Sequence, residues 1–258
     1  MKHVWNWPIS YLPEKETLRE ASFGITEEAK SVRYPVRLLR YWFGYHLMRD
    51  EAARLGDQAE VAEIGVDSGQ MLQFAQLALK KTEPTADPWW SRWLAVDVDV
   101  RESLLREAGY AHFQDVNLDS PESFALDRPY DIAICLHVFE HLFEPERAVQ
   151  RLADNLKPGG ILIGGFPVVP DFCVRPREKK IRQTARKFGH VSVFSPKRVK
   201  RMCDAAGCDV EFASGAFLMR KKGSAIENSP LWLKLNLLWG ACFPAWPGEL
   251  YWSARKRK

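Results

Sequence analysis

With 258 residues, 46% of them apolar, the chain can bury the core of one large α/β domain or two small ones. Its five cysteines are odd in number and form no CxxC pair, which argues against a disulfide framework or a zinc site and for reduced thiols in a cytoplasmic protein. The formal net charge of +4 is modest but uneven, since basic residues crowd 175–187 and 197–201 and recur at Arg255-Lys256-Arg257-Lys258. Such runs suit a solvated surface, an anionic substrate, an anionic membrane surface or RNA.

Residues 1–16 are irregular, contain Trp and Pro, and lack the apolar stretch of a signal peptide; no run of about 20 apolar residues marks a membrane span. Residues 27–55 predict one or two helices, with Val32, Val36, Leu39, Phe43 and Leu47 on an apolar face broken near Pro35. The aromatic cluster Tyr34, Tyr41, Trp42, Phe43 and Tyr45 belongs to a core or caps a pocket. Residues 1–55 thus form an arm and helical cap ahead of a main domain, 56–258.

Glu60 to Leu72, EVAEIGVDSGQML, predicts a buried strand, a glycine turn and the start of a helix that runs to Lys80. Gly65 and Gly69 supply the bend and the close backbone approach, and the helix start offers free N–H groups. The spacing is not GxGxxG. Asp67 falls where a middle glycine would stand, and it would repel a pyrophosphate. Together with Glu63 it suits a ligand carrying positive charge.

Residues 80–92 predict a loop, followed by a strand over 93–98 that ends in Asp97. A carboxylate at the end of a second strand can accept hydrogen bonds from both hydroxyls of a ribose. Asp99 suits the N-cap of a helix over 102–108. A short strand over 111–117 carries Asp115, and an apolar strand covers 130–138. A helix over 145–156 is stopped by Lys157-Pro158-Gly159-Gly160, and a strand follows over 161–168. This alternation predicts a doubly wound, mostly parallel sheet with its ligands at the strand carboxyl ends.

Residues 170–189 are basic and rich in helix breakers, as a substrate-recognising insertion would be. Ser195-Pro196 starts a helix that ends at Gly207. Residues 211–220 and 249–256 predict a final antiparallel pair of strands. Between them lies 229–248, with Trp232, Trp239 and Trp246 among leucines, too apolar for a simple loop. It packs on the N-terminal helices, lines a pocket for a lipid-linked substrate, or lies in a membrane interface beside the basic tail.

The series EIGVDSG, AVDVD, FQDV, YDIAICLHVFEHLFEPERAVQRLADNLKPGGILI and GHVSVFSPKRVKRMCDAAG resembles the class I S-adenosylmethionine-dependent methyltransferases, small-molecule enzymes of the ubiquinone-pathway type in particular. The resemblance runs from about Glu60 to Gly207. It implies a seven-stranded Rossmann-like sheet and S-adenosylmethionine as cofactor. Glu63, Gly65 and Gly69 would form the cofactor turn with Val66 and Asp67, Asp97 with Val98 would hold the ribose, Asp115 with Val116 the adenine, and Leu136 the methionyl side. The family usually has glycine at the position of Asp67.

Methyl transfer needs an aligned nucleophile and, for a protonated one, a base. His141, after the fourth strand, and His190 are the candidates for that base. His137, Glu140 and His141 also spell HxxEH, an inverted zinc-protease pattern, but that site requires a long helix, and this stretch begins at a strand end. Ubiquinone-pathway O-methyltransferases carry ExxEH here and can use a divalent ion. His137 in place of the first Glu weakens a hard-metal site, and no metal is expected. The expected activity is O-methylation of a small-molecule, glycan or lipid-linked acceptor, with peripheral membrane contact through 229–258. An RNA-modifying methyltransferase, suggested by the basic segment, and a non-catalytic cofactor-binding scaffold, suggested by Asp67, are the alternatives.

Overall fold

The computed structural model describes Trp7 and residues 38–120, 125–184, 189–216, 218, 225–246 and 248–258. Seven strands build one sheet: β1 Ala59–Ile64, β2 Trp90–Asp97, β3 His112–Asp115, β4 Tyr130–Leu136, β5 Leu156–Val168, β6 Cys208–Gly215 and β7 Gly248–Lys256. Their order is β3-β2-β1-β4-β5-β7-β6, with β1 to β5 parallel and β7 antiparallel to both neighbours. This is the expected doubly wound, mostly parallel sheet. Strand order reverses between β1 and β4, and a crevice opens there at the carboxyl ends.

Seven helices accompany the sheet among the described residues: α1 Leu39–Arg54, α2 Gln70–Thr82, α3 Glu102–Glu107, α4 Pro145–Asp154, α5 Asp171–Gln183, α6 Pro196–Ala205 and α7 Pro230–Cys242. The central strands are apolar on both faces, and successive side chains alternate between two cores. Ile132, Ile134, Ile161 and Ile163 face a cluster with α1, α2 and α7, whereas Ala133, Cys135 and Leu162 face one with α4 and α6. Helix α1 packs directly on the sheet. Its buried Glu51 takes both terminal nitrogens of Arg255 on β7, each at 3.0 Å, and Arg255 in turn reaches Glu211 on β6. Trp7 packs against the same core, stacked on His46 at 4.8 Å.

Several boundaries differ from expectation. Strand β2 starts at Trp90 and α2 continues to Thr82, which shortens the loop between them; Trp89, Trp90 and Trp93 pack ring on ring and draw the strand start inward. The Lys-Pro-Gly-Gly turn is carried inside β5, where Tyr130 pairs with Leu156 before the register shifts to Ile132 on Ile161. The segment after β5 contains the helix α5 despite Pro176. Residues 229–248 contain α7, capped by the Ser229 side chain. Strand β6 begins at Cys208 and ends at Gly215, since the chain leaves the sheet before Leu218. Helix α3 has Arg101 at its N-cap, not Asp99, and no side-chain cap bond. The helix expected over 27–55 is seen as α1; Val32, Tyr34, Pro35 and Val36 lie outside the described residues. All five cysteines are free, with Cys135, Cys203 and Cys208 buried and Cys242 exposed.

Candidate functional site

The turn after β1 is built on left-handed backbone. Gly65 has φ 74° and Gly69 φ 80°, and between them Asp67 adopts φ 47°. A Cβ on Gly65 would fall 2.1 Å from Val138 Cγ2, so no side chain fits there. Asp and Asn are among the few other residues that tolerate such a φ, which accounts for an aspartate where glycine is customary. Its charge is met by Arg101, 2.6 Å away.

A pocket of about 170 Å3 opens beside this turn. Five of the expected cofactor residues line it, namely Glu63, Gly65, Val66, Asp67 and Leu136. Gly69 caps α2 next to it without a side-chain bond to the first turn. Asp97, Val98, Asp115 and Val116 gather at the adjoining ends of β2 and β3. Asp97 Oδ2 accepts from the N–H of Asp67 at 2.9 Å and Oδ1 from that of Val98 at 2.7 Å, so one carboxylate joins the turn to the second strand. Asp115 Oδ1 accepts from Val100 N, and Val116 N donates to Asp97 O.

Glu63 is the electrostatic anomaly of the pocket. Its Oε2 accepts from Tyr110 Oη at 2.6 Å and from Trp93 Nε1 at 2.9 Å. Burial still outweighs those bonds and pushes its pKa up to about 7. A carboxyl half-ionised at neutral pH, facing a pocket, gains most from a positively charged ligand.

The second group lies just past β4, where the short 3-10 turn Phe139–His141 presents Glu140 and His141. The carbonyl of Glu140 accepts from the N–H groups of Val191 and Ser192, which ties the segment after His190 to this turn. The imidazoles of His141 and His190 consequently meet edge to face, 4.9 Å between centroids and 83° apart. His141 Nδ1 lies 3.3 Å from Gly189 O. A carbonyl only accepts, so Nδ1 carries a proton, and in the neutral ring Nε2 is the open acceptor. Burial, helped by the neighbouring His141, His137 and Arg177 against the pull of Glu140, lowers the His190 pKa and keeps that ring neutral at pH 7. Glu140, His141 and His190 each offer an atom within 4.8 Å of the others, a span that a divalent ion could bridge.

His137 is a further site residue, one not expected from the sequence. It has φ 57°, lines the turn pocket, and holds Nδ1 3.1 Å from Glu140 Oε1 with Nε2 3.7 Å from Glu249 Oε2. Burial opposes its protonation, but the two carboxylates prevail and raise its pKa. The spacing of His137 and Glu140 was visible in the sequence; Glu249, on a strand more than 100 residues later, was not. Arg40 and Tyr41 of α1 also line the pocket.

A sheet of this order, with a glycine turn after β1 and an acidic residue closing β2, defines a class I S-adenosylmethionine-dependent methyltransferase. The model of the methyltransferase-domain family matches residues 39–211, and the chain belongs to that family. Among solved structures, N-methyltransferase NodS from Bradyrhizobium japonicum in complex with S-adenosyl-L-homocysteine is similar, with 16% identity, TM-score 0.53, and 87% of this chain and 89% of that one covered. A methyltransferase in complex with the Trm112 activator from Haloferax volcanii is 18% identical with TM-score 0.53, covering 86% and 92%. An S-adenosylmethionine-dependent methyltransferase from Mesorhizobium loti is 16% identical with TM-score 0.52, covering 77% and 91%. At these identities the likeness is one of fold. No curated protein gives a significant match. The cofactor is S-adenosylmethionine; a resemblance to the ubiquinone-pathway enzymes in particular does not emerge.

Proposed function

We propose that this methyltransferase methylates an oxygen of a small-molecule, glycan or lipid-linked acceptor, with His141 or His190 taking the proton. The observation that carries this reading is the perpendicular imidazole pair at the carboxyl end of β4. When bound, S-adenosylmethionine supplies a methyl group on a cationic sulfur. The rest falls to the chain. Glu63, Gly65, Val66, Asp67, Gly69 and Leu136 would hold the amino-acid end, and the Glu63 carboxyl, poised near pH 7, would ionise beside positive charge. Asp97 with Val98 would take the ribose, because each Asp97 oxygen keeps a lone pair beyond the backbone bond it already accepts. Asp115 with Val116 would flank the adenine. His141 would receive a hydroxyl proton at Nε2, its ring held by Gly189 O; His190, kept neutral, is the other candidate.

A membrane-proximal acceptor is supported by α7. Six of the nine exposed large apolar side chains among the described residues fall between Ile226 and Trp246, including Leu231, Leu235, Leu238 and Phe243. Lys234 is the only charged residue of α7. Among the described residues no helix is long and apolar enough to cross a membrane, so contact through this face would be peripheral.

The test is a thermal-unfolding shift with S-adenosylhomocysteine, wild type against Asp97→Ala, followed by labelled-methyl transfer to hydroxyl-bearing acceptors. Ligand at about 100 times its Kd stabilises the native state by roughly 2.7 kcal/mol. A shift that Asp97→Ala abolishes supports the site. Binding with transfer only to amines would sink the O-methylation reading, and absence of binding would favour a scaffold.

A further inference from the structure

A second cavity, a groove of about 1060 Å3, lies between α5 and α6, away from the glycine turn. Arg175, Lys179 and Arg182 stand at positions i, i+4 and i+7 of α5, which places them on one helical face. Arg198 and Arg201, three apart on α6, complete a lining of five cations. Three acids share the groove, and each is already engaged. Glu146 holds Arg198 through two bonds of 2.7 and 3.1 Å. Glu178 pairs with Arg198 and Arg182 and accepts from Val193 N. Asp171 accepts from the Ser195 hydroxyl at 2.6 Å. Arg175, Lys179 and Arg201 are left with no ion pair or hydrogen bond among the described residues.

Helix α5 buries none of its residues. With no apolar face to drive its docking, it is held by the polar contacts of Asp171, Glu178 and Arg182, and these also fix the groove wall. Arg182 ties the groove to the histidine pair, since its Nε donates to Val191 O and its terminal nitrogen to Phe143 O. Both acceptors lie within two residues of His190 or His141. Phe172, 82% exposed, stands at the rim.

We propose that this groove binds the phosphate or diphosphate group of the methyl acceptor, with Arg175, Lys179 and Arg201 supplying the charge. The proposal rests on the methyltransferase reading for the word acceptor, but phosphate binding itself does not. Three uncompensated cations on two facing helices match a multiply charged anion better than a single carboxylate, and guanidinium groups pair with phosphate through two parallel bonds. The volume, just above the roughly 300–1,000 Å3 typical of small-molecule sites, leaves room for an organic portion beside Phe172. The phosphate can belong to a soluble molecule or to a lipid head group.

The experiment uses the full chain saturated with S-adenosylhomocysteine. Inorganic pyrophosphate is titrated into the wild type, the triple variant R175Q/K179Q/R201Q, and the control R177Q/K180Q/K197Q, which removes equal charge outside the groove. All six positions are exposed, so both variants should fold. Pyrophosphate should bind the wild type and the control alike, and the groove variant at least about tenfold more weakly. The thermal shift with S-adenosylhomocysteine should match in all three, which separates failure of the groove from failure of the cofactor site. Equal weakening in both variants, or no binding to the wild type, would overturn the proposal. Vesicles of phosphatidylcholine with phosphatidic acid, set against soluble pyrophosphate, distinguish the two phosphate sources. Tight binding of single-stranded RNA, with a salt dependence lowered only in the groove variant, would replace the small-molecule ligand with nucleic acid and refute the proposal as stated.

Discussion

Arg101 reaches over the glycine turn to pair with Asp67, Nη2 to Oδ1 at 2.6 Å. Both side chains are more than half exposed, so the pair contributes at most about 1 kcal/mol. Its effect is to neutralise a carboxylate that the backbone holds at the pocket rim. With φ at 47°, glycine would relax the turn and valine would strain it by about 1–2 kcal/mol. Asp67→Gly is therefore expected to bind S-adenosylhomocysteine at least as well as the wild type, and Asp67→Val to lower the Tm. A calorimetric titration of Asp67→Gly that shows lost binding would mean that the aspartate side chain, and not its backbone alone, holds the ligand.

Glu63 makes stability depend on pH. Its carboxyl ordinarily titrates near 4.5 and in the fold near 7, so between those values the native state holds a proton that the unfolded chain has released. Stability should thus fall as pH rises from about 4.5 to 7 and level off above, by roughly 3 kcal/mol for this group. Urea unfolding of the wild type and Glu63→Gln at pH 5 and pH 8 isolates it. The variant should gain relative to the wild type at pH 8, and an identical pH response in both would contradict the assignment.

His141→Gln and His190→Gln separate the two candidate bases. The one that accepts the proton should lose about 100-fold or more in kcat with its affinity for S-adenosylhomocysteine unchanged. For His190 as the base, the acid limb of kcat/KM should lie below pH 6.5, because its pKa is lowered from that value. Activity unaffected by both substitutions would remove the imidazole pair from the chemistry.

Methyl transfer is expected to survive exhaustive dialysis against EDTA, with no metal engaged by Glu140, His141 and His190. Activity lost to chelation and restored by one divalent ion would recast the same three side chains as ligands.

Arg255→Met should destabilise the fold strongly. Burial alone would raise the Glu51 pKa, yet the Arg255 and Arg54 guanidinium groups hold it below the ordinary carboxylate range. Removing Arg255 leaves a buried charge with only the half-exposed Arg54, at a cost of about 3 kcal/mol. Urea midpoints at pH 7 measure it; Arg255→Lys, which cannot bond both oxygens in parallel, should rescue only part.

Strands β1 and β4 were legible because each is a short apolar run bounded by turn residues, and Gly65, Asp97 and Asp115 followed from their places at strand ends. Relationships that cross the chain were not. The meeting of His141 with His190 depends on Glu140 O capturing two N–H groups about 50 residues away. The clamp on His137 needs Glu249, brought in by β7. Helix α5, in the segment expected as a basic insertion rich in helix breakers, is masked by Pro176 and its basic residues, and it has no apolar signal because it buries nothing. The start of β2 was hidden for the opposite reason, since Trp89 and Trp90 follow a proline yet are drawn in by mutual packing.

Strand β7 is the last of the seven in the chain, yet it lies between β5 and β6 and supplies Glu249, Tyr251 and Trp252 to the interior. During synthesis the β5 edge, with Leu162 and Phe166, must wait bare until residue 256 has left the ribosome. Domains that finish folding only after such a wait offer chaperones, and aggregation, a window of time. A nascent chain stalled between residues 215 and 248 would carry five strands in register and two edges searching for the same missing partner.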